Sequence, residues 1–410
     1  MFYLCALFAF AAGVGVLRSA RLSVLMFVWL VLVVPTGNSY ADVISRSGIY
    51  FYDFYLLGAF VGLVFMAVAG RAKRLVGDRW VALMLAVFFI YFFIFGLTAE
   101  LTKYFIKDTR PVMAVLLFLV VANFARAGRF VLSSREMCWL VVVGGVFNFL
   151  DLLWIKMGVV AYKDEYYEVN SYRYLDVATY FSVAFIIYYV NFKRYFERER
   201  RLALIATVVA VACVLLSNSR FVLLSTLLAV LVTQVSSPKR FFQMAILGLS
   251  SMGLFFWISY LIGAERIVSG LESEGLLLQI VTRYGPGLDL IEGMSFSEAI
   301  FGFGPGTFFD IPWFAYRGLE SENVNIDCAY LTFYVKYGVF SALVLFGYVR
   351  AFLISSVGKM KAAAYVFFGL IFLVSASPYQ PYAIGFGVAC ILLASLDSIR
   401  SGARLDAVRA

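Results

Sequence analysis

Apolar runs of 15 to 20 residues recur along the whole 410-residue chain, and this repetition constrains the fold more than any single motif. A helix needs about 20 such residues to cross a hydrocarbon layer of roughly 30 Å. Helices are the form required, because lipid offers no partner for unpaired backbone N–H and C=O groups. The runs fall near 2–17, 22–36, 54–70, 80–98, 112–125, 137–155, 174–191, 202–216, 221–235, 243–262, 328–347, 363–377 and 383–396, which predicts thirteen crossings. A content of 63% hydrophobic residues exceeds what a soluble core can use. The expected fold class is therefore all-α: a polytopic integral membrane protein of about 12–14 transmembrane helices. Residues 1–17 are apolar from the start and lack a basic leading region, so they read as a retained first crossing.

Basic residues gather in alternate connections: RSAR (18–21), RAKRLVGDR (71–79), RAGRFVLSSRE (126–136), FKRYFERERR (192–201), SPKR (237–240), residues 348–362 and the C-terminal tail. These hold 22 of the 34 Lys and Arg but only 6 of the 25 acidic residues, whereas the opposite set holds 11 and 19. The positive-inside bias puts the first set in the cytoplasm. The net charge of +9 is thus a topology signal and not a nucleic-acid footprint.

The same parity predicts a turn inside residues 201–235. A straight helix over about 35 residues would span roughly 50 Å, far more than a membrane needs. Two cytoplasmic ends also require an even number of crossings. SNSR (217–220) is the polar place to turn back, which puts Arg220 at the outer edge. There it either serves chemistry or snorkels to headgroups.

Outer connections at 37–53, 99–111 and 156–173 are longer than turns, and 263–327 is far longer. The expected organisation is one membrane domain: helices over 1–262, a large outer loop over 263–327 that covers the site, and the last helices with a cytoplasmic tail over 328–410. Within the loop, LLLQIVTRYGPGLDLIEGM (276–294) has an amphipathic pattern that predicts short helices at the membrane surface. SFSEAI (295–300) offers Ser295 or Ser297 as an N-cap, with Glu298 in the first turn. FGFGPGTFF (301–309) follows. Its Gly302, Gly304 and Gly306 permit positive φ. They serve either an anion nest of backbone N–H groups or a tight turn packing the loop onto the helices. No nucleotide-binding glycine motif is present.

Histidine is absent, and Cys5, Cys138, Cys213, Cys328 and Cys390 are scattered singly. No metal site, cofactor or disulfide framework is expected, and the commonest general base is missing. No internal repeat stands out, which weakens the case for a two-fold transporter. No cytoplasmic segment is long enough for a soluble catalytic domain.

Three stretches carry a resemblance. SNSRFVLLSTLLAVLV (217–232), RYGPGLDLIEGMSFSEAIFGFGPGTFFDI (283–311) and NIDCAYLTFYVKYGVFSALVLFGY (325–348) occur in the order seen in bacterial O-antigen polymerases and the related O-antigen ligases. The chain resembles these proteins in size, in crossing number and in its large outer loop before the last helices. The match covers about a third of the chain by motif and the rest by topology alone. Ligases carry a histidine near the start of the late helix, where this chain has Asp327-Cys328-Ala329-Tyr330. The resemblance therefore implies the polymerase branch, with a ligase-type transferase or a lipid-linked oligosaccharide flippase as alternatives.

A polymerase of this kind transfers a growing glycan from undecaprenyl pyrophosphate onto the next lipid-linked repeat unit, during lipopolysaccharide biosynthesis at the periplasmic face of the inner membrane. The resemblance also implies a membrane chain-length regulator as a partner. A departing pyrophosphate calls for guanidinium groups, and Arg220 and Arg283 are the expected catalytic ones, with Arg266 and the weaker Arg173 binding substrate. Asp327 is the expected base, with Asp310 and Glu322 as competitors. Gly304 and Tyr330 follow from the motif as substrate-binding positions. Lys336 is costly in hydrocarbon and is expected to face the interior, pairing with Asp151 or Asp176 or touching the pyrophosphate. The aromatics of YKDEYYEVNSYRY (162–174) line a sugar groove or form an interfacial belt.

Overall fold

A computed structural model of the chain describes residues 1–46, 49–70, 78–96, 103–127, 132–160, 174–217, 219–234, 273–311, 321–354, 359–374 and 384–394, with scattered positions in 242–253. The described chain is mostly helical. Among the described residues three helices are long and apolar enough to cross a membrane: Arg79–Gly96, Ser134–Lys156 and Ala329–Leu353. Seven others are apolar but shorter, such as Ala20–Val33 and Asp53–Val68. The expected thirteen long crossings are thus not what helix length alone gives. Two two-residue antiparallel ladders, Ser45–Arg46 with Ile49–Tyr50 and Phe309–Asp310 with Glu322–Asn323, also depart from an all-helical chain.

Local chemistry sets the helix starts. Ser133 and Glu136 form a reciprocal capping box ahead of Ser134–Lys156. Asp176 caps Val177–Phe192 by accepting from the Thr179 N–H at 2.8 Å. Helices Phe2–Val14 and Asp53–Val68 pack closely through glycine, since a Cβ on Gly58 would meet the Phe10 carbonyl and one on Gly13 the Tyr55 carbonyl. On Arg79–Gly96 one face buries Val81, Met84, Phe88 and Tyr91, while the opposite face exposes Phe89, Ile90, Phe93 and Ile94. Apolar residues on both faces are the mark of a helix whose outer side meets lipid.

Helix Arg79–Gly96 and the helix Ser341–Leu353 lie alongside, which gives a ruler. Asp78 takes both Nε and Nη2 of Arg350 within 2.9 Å. Gly347 faces Met84, and Tyr91 meets Tyr337 and Phe340. The apolar run Ala329–Leu353 is not one straight helix. It breaks at Gly338, whose φ is +55°, into Ala329–Tyr337, a 3-10 turn and Ser341–Leu353.

A helix break stands where the SNSR turn is expected: helix Arg200–Leu216 ends and Arg220–Thr233 begins. The two do not stay together. The first packs chiefly on Ser134–Lys156 and Val177–Phe192, the second on Lys359–Val374.

Candidate functional site

Residues 276–294 do not form the expected short helices. Residues 276–292 of this stretch lie in one helix, Ser273–Glu292, that continues through Pro286. Proline removes one intrahelical donor, and the helix is held from outside instead. Tyr284 donates to the Leu373 carbonyl at 2.8 Å, tying this helix to Lys359–Val374. Burial is the main cause that pushes the Tyr284 hydroxyl above its ordinary range, with Cys328 and Asp327 adding and Arg283 opposing.

The neighbouring Arg283 reaches two other stretches. Its guanidinium lies 5.7 Å from the centre of the Phe221 ring, in the first turn of Arg220–Thr233. Its Nε stands 3.9 Å from Asp327 Oδ2. Asp327 precedes Cys328, whose extended backbone caps helix Ala329–Tyr337. That helix is in turn tied by Tyr330, which donates to the Gly369 carbonyl at 2.9 Å. Arg283, Asp327 and the residue after Arg220 therefore converge from three separate stretches. The Arg283 side chain is 23% exposed and that of Asp327 54%, so both keep a face open. The Tyr330 hydroxyl, expected on substrate, is engaged by backbone.

The glycine stretch is a packed turn. Gly302, Gly304 and Gly306 have φ of +74°, +89° and +92°. Ser295 and Glu298 form a capping box that starts helix Phe296–Phe301. Beyond it the N–H groups are engaged within the protein: Gly302 on Glu298 O at 2.6 Å, Phe303 on Val335 O at 2.9 Å and Gly304 on Lys336 O at 3.0 Å. Gly306 N–H donates to Asp108 Oδ2 at 2.7 Å. An anion nest needs these donors free, so the turn reading holds. Gly302 lies so close to Lys336 and Tyr337, and Gly338 to Ile300, that no side chain fits between the backbones.

Lys336 is buried, as expected, but its partner is not Asp151 or Asp176. Its Nζ meets Asp108 Oδ1 at 2.5 Å, with the two side chains 2% and 5% exposed. Asp151 instead accepts from Tyr174 at 3.2 Å, and Asp176 serves as the helix cap. Burial pushes the Asp108 carboxyl up, against the pull of Lys336 and the Gly306 N–H. A second buried pair was not anticipated: Arg110 grips Asp53 in a fork at 3.0 and 2.5 Å and lies 4.5 Å from the centre of the Tyr50 ring. The signal for both was KDTRP at 107–111, charges crowded against an apolar run.

The other expected positions stand apart. Asp310 is exposed and pairs by backbone with Glu322, whose carboxylate accepts from Tyr104 at 2.7 Å. Arg266, Arg173 and residues 162–173 lie outside the described residues, as does the side chain of Arg220.

Comparison with curated proteins and with solved structures gives no match. A family model matches residues 21–134 and 121–401, nearly the whole chain. The protein with this clasped glycine turn and this Arg283–Asp327 meeting point belongs to that family, a family of unknown function designated DUF6369.

Proposed function

We propose that this protein is a metal-independent membrane glycosyltransferase of the O-antigen polymerase type. It moves a growing glycan from undecaprenyl pyrophosphate onto the next lipid-linked oligosaccharide repeat unit, at the periplasmic face of a bacterial inner membrane. The observation that carries the reading is the meeting of Arg283, Asp327 and the first turn of helix Arg220–Thr233. In the reaction the acceptor hydroxyl oxygen bonds to the anomeric carbon while the bond to pyrophosphate breaks. The hydroxyl proton passes to Asp327, and the lipid pyrophosphate leaves with the bonding electrons. Arg283, joined by Arg220, takes the charge on those phosphate oxygens, for which a guanidinium is suited because it stays charged and binds with two parallel N–H groups.

The buried charges support the same side. Asp53, Arg110 and Asp176 stand at helix starts, and Asp108 at the end of the short helix before Arg110, all in connections that the basic-loop asymmetry assigns to the outer face. A transporter would set such groups across the midplane. The full polytopic topology, with a cover formed by 263–327 and a chain-length regulator docked beside it, belongs to this proposal.

The test is polymer length in cells lacking the protein. Loss of long chains with single repeat units still attached supports polymerisation. Accumulation of inward-facing lipid-linked units would point to a flippase, and normal chains would end the proposal.

A further inference from the structure

Helix Phe296–Phe301 buries none of its six residues. Phe296 is 84% exposed and Phe301 53%, although the helix is firmly held by its capping box and by the backbone contact between Ile300 and Gly338. Large aromatic side chains held rigidly outward mark a contact surface and not a frayed end. The question is what covers them.

Continuity supplies the occupant. The Phe301 ring stacks on Phe340 at 6.1 Å, and Phe340 meets Tyr91 edge-on at 6.2 Å. Val339 beside it is 64% exposed. Val339 and Phe340 belong to Ala329–Leu353, a run long and apolar enough to cross a membrane, and Tyr91 lies on the buried face of the second such helix, Arg79–Gly96. The exposed Phe301 ring thus continues the exposed apolar surface of Val339 and Phe340, near the Gly96 end of Arg79–Gly96. Phe296 lies within about 8 Å of Phe301 along the helix axis. Ser295, Ser297 and Glu298 put polar groups at the N-terminal end of the same helix, on either side of Phe296.

We propose that helix Phe296–Phe301 is a finger inserted into the lipid leaflet that surrounds the Gly96 end of helix Arg79–Gly96, with Phe301 seated among acyl chains and Phe296 at their boundary with the headgroups. Aromatic rings favour this depth, and the serines and Glu298 meet the headgroups. The finger anchors the loop that ends at the glycine turn, independently of any glycosyl transfer.

The test uses the full chain in phosphatidylcholine nanodiscs. Phe296→Cys and Phe301→Cys are labelled with an environment-sensitive NBD maleimide, with unlabelled-site background taken from the wild type, whose described cysteines are buried. Phe93→Cys is the lipid reference and the exposed Asp310→Cys the aqueous one. The label at 301 is expected to be quenched by nitroxide-bearing lipid as strongly as at 93, that at 296 by nitroxide carried at headgroup depth, and both by aqueous iodide roughly severalfold less than at 310. Iodide quenching equal to that at 310 overturns the finger. So does efficient short-range cross-linking of Phe296→Cys between two chains, which would give this surface to a second copy. Failure of lipid quenching at 93 itself would instead overturn the membrane placement of helix Arg79–Gly96 and the finger with it.

Discussion

Lys336 and Asp108, 228 positions apart, meet at 2.5 Å with both side chains almost wholly buried, and the second Asp108 oxygen holds the Gly306 N–H. One carboxylate therefore fastens a late helix and the glycine turn to the segment Lys103–Asp108. Removing one partner leaves an uncompensated buried charge. Lys336→Met alone is expected to cost roughly 3–5 kcal/mol. Adding Asp108→Asn, which keeps an acceptor for Gly306, should recover much of that loss. Thermal unfolding in detergent measures both, and a Lys336→Met protein as stable as the parent would contradict the buried pair.

Gly304 and Gly306 share positive φ but differ in room. A Cβ at 304 would strike the Phe95 ring, whereas one at 306 would make ordinary contact with Phe105. Both alanine variants should lose about 1–3 kcal/mol to backbone strain, with Gly304→Ala the worse. Phe95→Leu should rescue part of the 304 defect and none of the 306 defect. Equal losses and no rescue would mean that the Phe95 contact is unimportant.

Under the proposed reaction, Arg283→Lys keeps the charge but gives up the planar fork that faces Phe221 and Asp327. Turnover of lipid-linked repeats should fall strongly with little change in melting temperature, and Arg220→Lys should behave alike. Asp327→Asn should lower turnover by about 10²-fold. Near-normal polymerisation by all three would remove the site from this corner of the fold.

Arg350 hydrogen-bonds Asp78, and this is the leading reason that the Asp78 carboxyl is held below its ordinary range. A depressed folded-state pKa contributes stability above the unfolded value of about 3.9 and loses it as pH falls through the folded value. Stability should therefore drop in that acid window, and Asp78→Asn should flatten that part of the profile. An unchanged acid limb in the variant would show that the pair does not set it.

Accessibility tags test the topology. A tag after Arg200 should be reachable only from the cytoplasm, and one near Gly275 from outside. Cytoplasmic access at 275 would reverse the orientation on which the proposed function rests.

What the sequence made legible was local. The helix break at 217–220, the Ser295 cap and the positive φ at the glycines all fall where the sequence put them. The Lys336 partner did not, because a contact across 228 positions leaves no mark in periodicity. Gly338 was equally silent. A single glycine in an apolar run is usually tolerated, and only the approach of the Ile300 backbone requires the break there. The amphipathic pattern of 276–294 reads as short helices, whereas one helix, Ser273–Glu292, runs through Pro286.

Tyr284 and Tyr330 both donate to carbonyls of helix Lys359–Val374, and helix Arg220–Thr233 packs on the same helix. The segments that bring Arg283, Asp327 and Phe221 together thus share one keel. Helix Ala329–Tyr337 follows Asp327 at one end and holds the glycine turn through Val335 and Lys336 at the other, so keel, trio and turn are riveted into one frame.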